Sequence, residues 1–108
     1  MDLDATSLER IKIFATFLQQ AKEAGTKPSF FTTPTENGDN ITAVATLNGE
    51  KRNVGILFWD INALQERGLV DILDDDDIAL GMNITDSMIE DVEKILSFAN
   101  TELKNFEA

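Results

Sequence analysis

The chain has 108 residues, a net charge of -11 at pH 7, and neither cysteine nor histidine. Those absences remove disulfides, thiolate chemistry, the usual general base and the usual transition-metal ligand. The length suits one hydrophobic core and not two, and a 43% hydrophobic content in periodic patterns argues for a folded domain rather than disorder.

The start, Met1-Asp2-Leu3-Asp4, is acidic where a secretory leader would be basic. The longest unbroken apolar run, Val54 to Trp59, is far too short to cross a bilayer. The expectation is a cytoplasmic protein with no membrane partner.

From Thr6 to Ala24, apolar residues recur at helical spacing (Leu8, Ile11, Phe14 or Ala15, Leu18, Ala21), widened by Ile13 and Phe17. Thr6 with Glu9 makes a capping-box pattern, and Gly25 suits a left-handed C-terminal cap. Lys27 to Thr33 reads as a strand that Pro28 and Pro34 confine to an edge, and Thr35 to Asn40 as a turn or loop.

Asn40 to Trp59 is the organising stretch, because two strand-like runs flank Asn48-Gly49, a pair that tolerates the positive φ of a type I′ turn. With those two as the loop, Leu47 faces Glu50, Ala45 faces Arg52, Ala43 faces Val54 and Ile41 faces Ile56. Period-2 alternation then puts Ile41, Ala43, Val54, Ile56 and Phe58 on the core side. Thr42, Val44, Thr46, Gly55, Leu57 and Trp59 take the other side.

Asp60 can cap a short helix over Ile61 to Arg67 that Gly68 ends. Asp74 to Asp77 reads as a loop, since adjacent like charges repel and Asp competes with regular backbone hydrogen bonding. Thr85 can cap a last helix to about Asn105, in which Ile89, Val92, Leu96, Ala99, Leu103 and Phe106 repeat as a short heptad seam. The pattern predicts an α+β domain over 1–108: an antiparallel sheet of two or three strands, built on the hairpin 40–59 and packed by an N-terminal and a C-terminal amphipathic helix.

The charge is regional. Eleven acidic residues and one basic residue, Arg67, stand between Asp60 and Glu93, so this segment holds -10 of the -11. A run such as Asp71, Asp74, Asp75, Asp76 and Asp77 suggests a cation site, but no calcium-loop register fits, with Ala79 where glycine is needed and Thr85 where the closing Glu belongs. No metal or other cofactor is expected.

Catalysis fares poorly too. Ser7, Ser29, Ser87 and Ser97 have no histidine to activate them, there is no tyrosine, and no phosphate-cradling glycine loop occurs. An enzyme would have to work with carboxylates, for which so short a chain offers little room.

Direct nucleic-acid binding is disfavoured by sign, Lys51-Arg52 being the only adjacent basic pair outside a balanced background. The reading that fits best is a non-enzymatic binding or regulatory protein whose acidic segment engages a basic protein partner, in the manner of an inhibitor or nucleic-acid mimic. The plainer alternative is a solvated acidic loop. Leu57 and Trp59 are further contact candidates, against the preferred reading that Ile61 to Leu80 folds back over them. A rival function is structural, with a homodimer formed through Leu103 and Phe106 at an overhanging end of the last helix.

Overall fold

In the computed structural model, which describes residues 3–36, 38–69 and 91–107, Asn48 and Gly49 both adopt positive φ (53° and 81°). They form the two-residue turn between β2 (Gly38–Leu47) and β3 (Glu50–Leu57). That turn locks the register: Leu47 pairs with Glu50, Ala45 with Arg52, Ala43 with Val54 and Ile41 with Ile56, as the sequence predicts. A third strand, β1 (Ser29–Thr35), pairs antiparallel with β2 on its other side, giving the order β1-β2-β3. Pro34 lies within β1 opposite Asp39, which an edge strand tolerates. Thr35 pairs with Gly38, so within the loop expected over Thr35 to Asn40 both Thr35 and Gly38 to Asn40 belong to the sheet.

Alternation along β2 buries Ile41, Ala43, Ala45 and Leu47, with Ile56 beside them on β3. Helix α1 (Ala5–Glu23) covers this face. Its N-cap lies two residues before the Thr6 expected from the sequence. Asp4 is the N-cap, its Oδ1 accepting the Ser7 N–H at 2.8 Å, so Thr6 falls inside the first turn. At the other end Gly25 takes φ 74° as predicted, and paired bonds close the helix: Thr26 N–H to the Ala21 carbonyl and Gly25 N–H to the Lys22 carbonyl. Leu8, Ile11, Phe14 and Leu18 are fully buried, and each such side chain contributes about 1.5–3 kcal/mol by leaving water.

The apolar run Val54 to Trp59 is not one strand. β3 ends at Leu57, and helix α2 (Phe58–Glu66) follows without a connecting loop, so the strand alternation does not reach Phe58 or Trp59. Asp60 is not the N-cap residue. It is the third residue of α2, and its carboxylate reaches back to the Leu57 N–H at 3.2 Å. Leu57 has no side-chain acceptor, so only one half of a capping box forms. Gly68, at φ 73°, closes α2 as the sequence predicts.

Helix α3 (Val92–Glu107) packs chiefly on α1 rather than on the sheet. Its buried stripe is Val92, Ile95, Ala99 and Leu103, while Leu96 is half-buried and Phe106 exposed. The expected helix start at Thr85, and Ile89 of the heptad seam, lie outside the described residues. The architecture is α+β.

Candidate functional site

Asp71 and Asp74 to Asp77, the acidic candidates of the sequence, lie outside the described residues. The flanks of the acidic segment are described and show that its charge is not uniform. Glu66 and Glu93 are exposed, and Asp91 is half-buried with Lys94 at 3.9 Å. Asp60 differs in kind, because its side chain is wholly buried.

The burial of Asp60 is compensated from α1. Arg10 Nε donates to Asp60 Oδ2 at 2.9 Å and Nη2 donates to Oδ1 at 3.1 Å, a two-pronged contact that a planar guanidinium makes with a carboxylate. Arg10 Nη2 also donates to Ser7 Oγ at 3.0 Å, and the Leu57 N–H supplies Asp60's third bond. The hydrogen bond to Asp60 raises the Arg10 pKa above its ordinary value, keeping the guanidinium charged. Nearby, the backbone N–H of Ser7 holds the Asp4 carboxyl below the usual aspartate range. Among the described residues no buried side-chain polar atom lacks a partner, so the network is complete. Asp60 is therefore a structural tie between α1 and the start of α2, and it contributes nothing to an acidic surface. Sequence reasoning counted it there and did not single out Arg10; a lone arginine at the polar boundary of an amphipathic helix carries no local sign of a partner fifty residues away.

Leu57 and Trp59 are not brought together on one strand face. Leu57 is the half-buried last residue of β3 and Trp59 sits in the first turn of α2, 52% exposed. Residues 70–80 of the segment expected to fold back over them, Ile61 to Leu80, lie outside the described residues. Leu103, expected at an overhanging end, is buried at 9% exposure, which leaves Phe106 at 55% as the exposed member of that pair.

Two surface features went unsingled in the sequence. On the outer face of the sheet, Phe31 stands 57% exposed opposite Thr42, near half-buried Val44, with Lys27 and Lys51 at the margin of a shallow depression. Beside β3, a groove is lined by Lys12, Ile13, Thr16 and Phe17 of α1 with Arg52 and Val54. Among the described residues no group of three or more carboxylates converges on a common point, and no helix is long and apolar enough to cross a membrane. Comparison with known proteins gave no matching family model, curated protein or solved structure.

Proposed function

We propose that the chain is a non-enzymatic binding protein whose acidic segment engages a basic protein partner, acting as an inhibitor or mimic of nucleic acid. The observation that carries this reading is the distribution of charge. With Asp60 neutralised by Arg10, residues 66–93 keep ten acidic residues against Arg67, a net -9, while the rest of the chain is close to balanced. Charge spread for solubility alone would not gather in one quarter of a sequence. Dense carboxylates can match the phosphate spacing of a duplex, roughly one charge per 1.7 Å of axis, and so fill a basic groove.

The folded frame has a defined part in this reading. It holds the two ends of the segment on buried elements, Ile61 and Leu64 of α2 before it and Val92 and Ile95 of α3 after it. Affinity capture from the source cell at low and high salt tests the proposal. A basic protein retained at low salt and released at high salt supports it; capture of only salt-resistant or acidic proteins rejects it.

A further inference from the structure

The two edges of the sheet are unlike. β1 contains Pro34, which has no N–H to donate, and Pro28 precedes it; β3 contains no proline. Because Leu47 and Glu50 flank a two-residue turn, they exchange hydrogen bonds, and strict alternation along the ladder directs the N–H and C=O groups of Lys51, Asn53 and Gly55 away from β2. β3 is terminal in the strand order, so no strand among the described residues receives them, and all three residues are exposed. The Leu57 N–H, directed the same way, is already taken by Asp60.

An apolar groove runs beside this edge. Helix α1 lies antiparallel to β3, with Arg10 at the Asp60 end and Gln20 and Glu23 beside Asn48 of the turn. Midway, Ile13, Phe17 and Val54 line the groove together. Ile13 is 53% exposed on a helix whose other large apolar side chains, Leu8, Ile11, Phe14, Phe17 and Leu18, are at most 2% exposed. The flank is also the electrically neutral part of an acidic protein: Glu9, Glu23 and Glu50 balance Lys12, Lys51 and Arg52.

We propose that this flank is the interface with a second copy of the chain, in which β3 pairs antiparallel with its counterpart about a two-fold axis at Val54. The proposal does not depend on the acidic segment. In that register Lys51 stands opposite Leu57, Arg52 opposite Ile56 and Asn53 opposite Gly55, so no like charges face each other. The outward groups of Asn53 and Gly55 find partners, and Ile13, next to Val54, is covered near the axis. β3 and α1 are both about 27–28 Å long, so strand and helix offer one continuous side to the partner. Self-pairing at this side alone yields a closed six-stranded sheet and not an open fibre, because the proline-bearing β1 edges remain outermost.

The chain's lack of cysteine allows a direct test. At the axis, Val54 faces itself in a non-hydrogen-bonded pair, where Cα atoms lie about 4.5 Å apart, within disulfide range. Under mild oxidation Val54→Cys should therefore convert to a covalent dimer, whereas Thr101→Cys, exposed on α3, should not. In sedimentation the unmodified chain should run as a dimer. Ile13→Glu, which alters a side chain already half in water, should weaken dimerisation roughly tenfold or more, while Phe106→Glu leaves it unchanged. A folded monomer at high micromolar concentration overturns the proposal. So does a dimer lost in Phe106→Glu but kept in Ile13→Glu, or equal cross-linking of the two cysteine variants.

Discussion

Arg10 grips both oxygens of Asp60 across a separation of fifty residues, at 2.9 and 3.1 Å, and thereby ties the first helix to the point where β3 becomes α2. Removing Arg10 leaves a fully buried carboxylate held only by the Leu57 N–H. A broken buried pair costs about 3–5 kcal/mol, and since Arg10 keeps a third of its side chain in water the expected loss for Arg10→Ala is on the order of 2–4 kcal/mol. Arg10→Lys should recover only part of it, because an ammonium cannot make the two-pronged contact. Urea unfolding measures both, and a midpoint unchanged in Arg10→Ala would show that the pair does not organise the junction.

The turn supplies a second prediction. Gly49→Val forces a β-branched residue to φ 81° and should cost about 1 kcal/mol or more. Ile56→Ala, a fully buried aliphatic on the paired strand, should cost on the order of 2–5 kcal/mol. Equal stability of both variants with the parent would mean that the hairpin is not the organising element.

A third concerns acid. The Asp4 carboxyl is held below its ordinary pKa by the Ser7 backbone N–H, so the folded state binds that proton less readily than the unfolded chain does. Its contribution is then present above the unfolded aspartate pKa, about 3.9, and fades as pH falls through the lower folded value. Asp4→Ala should melt below the parent at pH 5, and the gap between their melting temperatures should close as the pH is lowered toward about 2. A gap independent of pH would assign the effect to helix propensity and not to the charged cap.

What could be read in advance, and what could not, follows the range of the determining interaction. The hairpin register was legible because the turn is set by two adjacent residues, Asn48 and Gly49, and the ends of α1 and α2 because Gly25 and Gly68 mark them locally. The start of α1 was misplaced because Asp4 and Thr6 both suit a cap and only the contact to Ser7 chooses between them. The division of Val54 to Trp59 into strand and helix was hidden, since both halves are apolar and the break is fixed by Asp60, whose burial depends on distant Arg10. Likewise Ile13 reads as part of a core stripe; only the position of α1 at the edge of the sheet leaves it in water. The acidity of 66–93 is plain in composition. What it binds is not a property of spacing.

The functional prediction therefore acts on that acidity directly. Replacing Asp74, Asp75, Asp76 and Asp77 with Asn removes four of the ten acidic residues in 66–93 while leaving volume almost unchanged. If those carboxylates steer a basic partner, association should slow markedly and the salt dependence of binding should flatten, because long-range attraction acts on encounter more than on escape. Stability should hold or rise slightly, since neutralising adjacent like charges removes their mutual repulsion; this separates lost recognition from lost folding. A cation site predicts another outcome, a melting temperature raised by Ca²⁺ or Mg²⁺ in the parent and not in the Asn variant. Stopped-flow association at several salt concentrations, with melting curves of both proteins, distinguishes the two. A folded four-Asn variant that binds the partner with parental affinity and the same salt dependence ends the case for acidic recognition.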